Sequence, residues 1–600
     1  MTLARGSILF ALLAAALWIV LPVQQAANLP STGLMGVVKS AQGAPMEGVA
    51  VSARLSGQSF TTSVFTDQAG EYFFPALADG RYRVWAQAVG FDMARGEVAV
   101  FSGKKIEQSF SMQPREDFYK QLSSSEWAES LPGDTPEDQR MKDLVHNNCT
   151  LCHLTGFIMA KRFDAAGWAT ILDTMINHRT EPNTATRRLL TAYKDELVSY
   201  LARVRGPDPD AMKFQAFPRT TGEANQIVVT EYEIPRGDTG TYSMTPDGSD
   251  WSEGIASGFG RISGGVLHDS VAAKDGNVYF SDNTFPGRTI GRLDPRTGRV
   301  TSFVLDDGKG VASRTHGAIP DRDGNVWFNN GSDGTIIKFD PATESFTRFP
   351  KPPGGLTAGG HIEVDSKGNL FTSAPNTGVV KLDPKTGKYT DYKALTPRGN
   401  PYGIAVDSED NAWMAQLAGD RLMVVNGRNG EVGEVVLPRL PGVSQKDIEI
   451  GERDGAAGNA APLYFKGPRR LGGDPKGDSV WVAEFWAGKL ARINIRTREI
   501  KEYSLPSKYS HPYDVQVDKN QMVWINLMNS DRVAKFNPFT EEFTEYPLPS
   551  RGTEARHISI DDSTSPPTIW LAESGLAKIA RVQFRTDTAA GAKVAQAAAR

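Results

Sequence analysis

Seven aromatic residues, Tyr279, Trp327, Phe371, Trp413, Trp481, Trp524 and Trp570, recur through the second half of this chain at intervals mostly in the forties of residues. That period is the length of a four-stranded propeller blade, and it constrains the fold more than any other feature. Each unit reads as an apolar strand, a turn, a strand centred on the aromatic anchor, a third strand, an Asx-Pro or Asn-rich turn and a fourth strand. The turns recur as Asp294-Pro295, Asp340-Pro341, Asp383-Pro384 and Asn537-Pro538, where the first side chain can cap the turn and proline fixes φ. The longer gap before Trp481 holds an insertion around Pro441 to Arg470. Seven anchors predict seven blades over 226–584. A closing-strand pattern, Phe543-Thr544-Glu545-Tyr546-Pro547, has an early copy in Val229-Thr230-Glu231-Tyr232-Glu233-Ile234-Pro235, while the last unit ends after Val582 without one. The early copy is therefore expected to complete the last blade and close the ring.

The chain holds only 2 cysteines, in Cys149-Thr150-Leu151-Cys152-His153. This is the spacing of a c-type haem attachment site: two thiols one turn apart bind the porphyrin and the next histidine reaches the iron. A disulfide across this span would staple almost nothing, and a zinc site needs further soft ligands nearby. Helical periodicity from Asp143 to about Val204, with Trp168, Ile171, Leu172 and Met175, predicts a small haem domain over 141–206. The sixth ligand is expected from Met175, with His178 and Met159 as the other candidates. The stretch from His153 to Tyr200 resembles the small haem domains of quinohaemoprotein amine dehydrogenases and related cytochromes c, in which such a methionine is axial.

Residues 1–27 carry Arg5, an apolar run from Ile8 to Val23 and the small residues Ala26 and Ala27, the layout of a secretory signal. Export to the periplasm agrees with covalent haem; an uncleaved membrane anchor is the alternative, because the run approaches spanning length. From 33 to 114, short alternating strands with turn signals predict a β-sandwich. Thr66-Asp67-Gln68-Ala69-Gly70-Glu71-Tyr72-Phe73-Phe74, followed by Leu77, Gly80, Tyr82 and Gly90, resembles the carboxypeptidase regulatory-like domain, a transthyretin-like fold that is a non-catalytic accessory in its family. Residues 115–140 read as a linker with a short helix at Glu126-Trp127, and 585–600 as a frayed tail. The fold class is thus multidomain and mainly β: sandwich, helical cytochrome c domain and propeller. The net charge of -4, with no basic run, gives no footprint for nucleic acid.

Of 8 histidines, His268, His316, His361, His511 and His557 each precede a blade's anchor by about ten to thirteen residues. One shared position lining the central channel is expected. Asp282, Asn330, Gln416, Glu484 and Glu573, three residues past their anchors, are expected to face inward too, so that imidazoles and carboxylates could hold a divalent metal or act as acid and base. Openings such as Asp323-Gly324-Asn325-Val326-Trp327-Phe328 resemble the virginiamycin B lyase (streptogramin lyase) propellers. That resemblance implies a magnesium-dependent elimination in which His511 and His557 match histidine positions, Glu573 a late glutamate and, displaced by one residue, Glu554 a metal-associated glutamate.

Three functions follow as expectations. The first is an exported electron-transfer protein with one haem c, coupled to a redox partner protein or a small-molecule substrate at the propeller. The second is a lyase-like enzyme using Mg2+ or another divalent cation, with an accessory haem. The third is a non-catalytic docking module for a cytochrome. Gly258-Phe259-Gly260 lacks the strand and helix of a dinucleotide loop.

Overall fold

The computed structural model describes residues 32–150, 152–177, 185–208, 212–236, 247–255, 267–283, 285, 287–306, 312–352, 354–355, 360–374, 378–397, 399–456 and 459–585. The signal region, His178, the Gly258-Phe259-Gly260 stretch and the C-terminal tail lie outside the described residues.

The N-terminal alternation buries one face of two packed sheets. Gly33–Ser40 pairs with Glu71–Phe73, Lys105–Glu107 and Phe110–Met112, and opposite it Phe60–Phe65, Ala50–Leu55, Gly80–Gln87 and Ala94–Val100 form the second sheet. Leu34, Val38, Val51, Val64, Tyr72, Val84 and Met112 fill the space between them. The family of alternating strands thus folds as a sandwich.

The repeats form six four-stranded antiparallel sheets, each in sequence order, and a further set made by Ala555–Asp561, Thr568–Glu573, Lys578–Phe584 and Ile227–Glu233. The first strands of these sets neighbour one another in a closed circuit, Leu267–Ala272 through Thr315–Pro320, Ile362–Val364, Pro401–Val406, Pro468–Gly473 and Pro512–Val517 to Ala555–Asp561 and back. This is a propeller-like arrangement. Every aromatic anchor lies buried in the second strand of its set. The aspartate of the preceding turn explains the recurring motif: Asp321 accepts the Trp327 indole N–H at 2.8 Å, Asp407 that of Trp413 at 2.8 Å and Asp518 that of Trp524 at 3.0 Å. The same aspartates accept backbone N–H groups of their turns, so one side chain fixes both turn and anchor.

Ile227–Glu233 is the early strand expected to close the last set, and it pairs antiparallel with Lys578–Phe584 through Thr230 and Arg581. Its other edge pairs with Phe60–Phe65 of the sandwich, Thr62 opposite Thr230. The edge that would otherwise be an open template is therefore covered by the sandwich in one continuous eight-stranded sheet.

Between sandwich and ring lie helices α1 (Ser124–Glu129), α2 (Pro136–Cys149), α3 (Thr155–Met159), α4 (Ala165–Ile176) and α5 (Ala185–Val204). α1 starts in a capping box of Ser123 and Glu126, and α2 has Thr135 as N-cap and Pro136 in its first turn. The stretch read as a linker is built in: Ser124, Ser125, Glu126 and Trp127 are buried, and the Ser125 N–H donates to the Asn529 carbonyl at 2.9 Å. The insertion of the repeat supplies α6 (Gln445–Asp454), whose Ile450 joins Leu144, Met159, Trp168, Leu189, Tyr193 and Leu197 in one core. Arg140 of α2 ties this layer with a two-pronged pair to Asp447 of α6 at 2.8 and 2.7 Å and a contact to Glu196 of α5 at 2.7 Å.

Candidate functional site in the channel and its helical cover

The inner strands share a device that the sequence pattern hides. Leu267 pairs with Asp282 and Ser270 with Phe280, so three steps on the inner strand match two on its neighbour. The same bulge recurs at Thr315/Ala318, Pro401/Ile404, Pro468/Leu471, Pro512/Val515 and Ala555/His557. A bulge re-aims the side chains it carries. Here its first position holds His268, His316, Tyr402, Arg469, Tyr513 and Arg556, and its second Asp269, Gly317, Gly403, Arg470, Asp514 and, in the last strand, His557. Ile362 pairs with Thr372 as Ala318 does with Phe328, which gives His361 the second position. His511 stands one residue before its strand. The five histidines thus occupy three register positions instead of the single one expected, because the extra residue shifts the alternation of each strand by one.

Residues from non-adjacent sets meet across the axis. Arg470, fully buried, reaches Asp269 at 2.9 Å and Asp514 at 3.2 Å. The His268 and His316 rings lie 3.6 Å apart, His268 Nδ1 is 2.7 Å from Asp269, and His268 Nε2 is 3.3 Å from the Tyr513 hydroxyl. Tyr513 shares a short hydrogen bond with Tyr402. His361 and His557 face each other at 6.2 Å, with His557 Nε2 3.8 Å from both Asp269 and Asp514. The structure therefore brings His268, His316, His361 and His557 together. Arg469, Arg470, Asp269, Asp514, Tyr402 and Tyr513, which the periodicity did not single out, complete the group.

Burial governs the charges. It lowers His268 to about 3 and holds His316 and His361 well below the usual imidazole range, so these rings are neutral. Burial and the Asp514 charge raise Glu363 to about 8. Against the cost of burial, Arg470 and His557 hold Asp269 well below the usual carboxylate range. Ligand atoms of His268, Asp269 and His316, and of Asp269, His361 and His557, lie within 4.8 Å of one another. Asp269 is common to both groups and Arg470 already spans it, so the guanidinium supplies the positive charge that a metal would bring.

His511 lies apart from this group. Its ring is sandwiched between Phe485, at 4.1 Å, and His146 of α2, at 4.0 Å. Asn529 Nδ2 contacts His511 Nδ1 at 2.8 Å, and burial together with His146 keeps His511 well below its ordinary pKa. Phe485 carries the contact inward: the Arg469 guanidinium sits 4.4 Å from its ring and 4.3 Å from that of Tyr513. A continuous file of side chains thus runs from α2 to the channel.

The acids three residues past the anchors do not join the histidines. Asp282 is enclosed by Arg236 at 2.9 Å and Arg288 at 3.0 Å. Glu484 is buried 3.9 Å from Lys466 and raised by burial to about 7. Asn330 contacts Ser313, and Gln416 contacts Glu434. Burial and the neighbouring Glu231 push Glu573 well above the carboxylate range, and Glu554 lies 3.8 Å from Arg556. Among the described residues, the acid and histidine groups whose ligand atoms lie within 4.8 Å of one another include neither Glu573 nor Glu554.

Cys149 closes α2, Cys152 and His153 follow in the next turn, and both cysteines are partly exposed thiols. Burial, then Cys152, raises the Cys149 thiol to about 12. His153 stacks on Phe157 at 5.4 Å. On α4, Trp168, Leu172 and Ile176 face the core, whereas Ile171 and Met175 are 37% and 36% exposed. At 100° per residue Ile171 and Met175 lie on the flank of the core stripe, so Met175 does not share the buried setting of Trp168. Met159 is fully buried in the helical core. Two thiols and an adjacent imidazole are a donor set that fits a covalently held haem.

A sequence-family model of the carboxypeptidase regulatory-like domain matches residues 33–113. No curated protein matches the chain. Among solved structures, a streptogramin B lyase aligns with 18% identity and a TM-score of 0.45 over 61% of this chain and 100% of its own. Virginiamycin B lyase from Staphylococcus aureus aligns with 15% identity and a TM-score of 0.45 over 60% of this chain and 100% of its own. The extracellular domain of a putative one component system from B. thetaiotaomicron aligns with 16% identity and a TM-score of 0.38 over 53% of this chain and 40% of its own.

Proposed function

We propose that this protein is an exported c-type cytochrome fused to a seven-bladed propeller, and that it exchanges electrons with a substrate or partner protein at the covered mouth of the propeller channel. The observation that carries this reading is the stacking of His146, one turn before Cys149 on α2, against His511 at 4.0 Å. The helix bearing the haem motif is thereby connected to the channel group through His511, Phe485 and Arg469. Cys149 and Cys152 would hold the haem, His153 would be its proximal ligand and Met175 its sixth. The haem supplies one-electron transfer when bound. The chain's own residues seal the route to it: Trp486 and Tyr509 pack against His146, at 6.2 and 4.9 Å, and exclude water from the contact. The regulatory-like sandwich serves as an accessory that covers the ring's last edge, and the periplasm is the compartment in which the thiols acquire their haem.

The test is reductive titration of protein produced with haem-attachment machinery, followed by visible spectroscopy. A covalently retained, reversibly reducible low-spin haem that changes on Met175→Ala supports the reading. Protein that is fully folded and carries no covalent haem overturns it.

A further inference from the structure

The channel contains a chain of acid–base groups that the electron-transfer reading does not use. Asp269 faces His268 Nδ1 at 2.7 Å, His268 Nε2 faces the Tyr513 hydroxyl at 3.3 Å, and Tyr513 hydrogen-bonds to Tyr402. The order is that of a catalytic triad, carboxylate to imidazole to hydroxyl, extended by one more hydroxyl. Asp269 is fixed by Arg470 at 2.9 Å, and Arg470 is fixed in turn by Asp514. Three of the four groups are fully enclosed, whereas Tyr402 alone retains partial exposure. The chain therefore has one wet end.

The surroundings favour negative charge at that end. Arg469 lies 4.3 Å from the Tyr513 ring and 5.3 Å from the Tyr402 ring, and Arg470 lies 5.9 Å from each. The first bulge position around the ring, His268, His316, Tyr402, Arg469, Tyr513 and Arg556, contains no carboxylate. Against the effect of burial, Arg469, Arg556 and Arg470 bring the Tyr513 phenol below its ordinary pKa.

We infer that Asp269, His268, Tyr513 and Tyr402 form one proton-transfer unit that deprotonates a hydroxylic molecule, an alcohol or phenol, bound at Tyr402 in the channel. Tyr513 gives its proton to His268 Nε2, the Tyr402 proton moves to the Tyr513 oxygen, and the substrate O–H proton moves to Tyr402. One proton enters at Tyr402, one arrives at His268, and the substrate is left as an oxyanion beside Arg469, whose guanidinium stabilises it. Tyr402 is the catalytic residue; Tyr513, His268 and Asp269 act through it and position the proton. Burial keeps an isolated imidazolium at His268 unfavourable, with a pKa of about 3. Asp269, 2.7 Å from Nδ1, is the standing counter-charge that lets the ring keep the proton once Tyr513 has been reprotonated from Tyr402.

The unit needs no haem, so it is tested separately from the reading above. The ultraviolet difference spectrum of tyrosinate, recorded against pH on the full chain, reports ionisation without any substrate. The groups facing Tyr513 are His268, Tyr402, Arg469, Arg470, Arg556 and, through Arg470, Asp269 and Asp514. The expected result is a step worth one phenol below pH ~10, the usual tyrosine value. It disappears in Tyr513→Phe and moves to higher pH in His268→Gln and in Arg469→Gln. Tyr402→Phe, which keeps the ring and its packing, removes the hydroxyl hydrogen-bonded to Tyr513, so it moves the step to higher pH and abolishes protection of the phenolate by an added phenol such as 4-nitrophenol. The inference is overturned if folded wild-type protein shows no step below that pH, or if the step survives Tyr513→Phe.

Discussion

The haem motif and the channel group are both built around histidine and stand at opposite extremes of exposure. Cys149 ends α2 and Cys152 and His153 follow it, all three with partial access to solvent, and on α4 Ile171 and Met175 stay exposed. The channel group is enclosed: Arg470, Asp269 and Asp514 are fully buried and compensate one another's charge. Covalent attachment requires thiols that a porphyrin can reach, whereas proton transfer is strengthened by exclusion of water. His146 and His511 join the two regions, and their stacked rings separate a local, chain-continuous site from one assembled by strands far apart in sequence.

The largest effect expected from breaking this contrast is in the channel. Arg470→Ala leaves two buried carboxylates without their cation, a change that costs roughly 3–5 kcal/mol; Arg470→Lys, which keeps the charge without the fork, is expected to lose less. Chemical unfolding of both variants measures the difference, and equal stabilities would show that the bidentate tie contributes nothing. At the junction, His146→Ala removes a buried ring packed on His511 and is expected to cost roughly 1–3 kcal/mol. His146→Phe restores the stack, so limited proteolysis should cut the α2 region faster in the alanine variant only.

A smaller effect concerns pH. Glu363 is raised to about 8 in the folded chain, against roughly 4.3 in the unfolded one. Between those values the native state holds a proton that the unfolded state has lost, so stability falls as pH rises from ~4.3 to ~8. Glu363→Gln is expected to flatten the unfolding midpoint across that window, and an unchanged slope would contradict the assignment. The smallest effect lies outside both regions: Trp413→Phe deletes one indole hydrogen bond to Asp407 and should cost about 1 kcal/mol, read from a denaturation midpoint.

The anchors show how much of the ring was legible in the sequence. Asp321, Asn325 and Trp327 appear in one short motif because the aspartate binds the turn and the indole together, so each second strand could be placed from its residues alone. The closing strand was legible for a similar reason, since Thr230-Glu231-Tyr232 repeats the pattern of a fourth strand. The channel was not. A bulge adds one residue without altering composition, so His268 and His361 looked equivalent although they occupy different positions, and His511 looked like a channel residue although it meets His146. Arg469 and Arg470 close an insertion that interrupts the period, and no local pattern ties them to Asp269, two hundred residues earlier. Glu573 and Glu554 carried the chemistry of a metal site by analogy; in the fold Glu573 is buried near Glu231 and Glu554 lies beside Arg556, outside the two His–Asp groups of the channel.

The most direct measurement is the intact mass and haem stain of the denatured full chain after production with haem-attachment machinery, beside Cys149→Ser and Cys152→Ser. The account predicts one covalently retained haem in the parent chain and none held through both thiols in either variant. A folded parent chain of unmodified mass would contradict it.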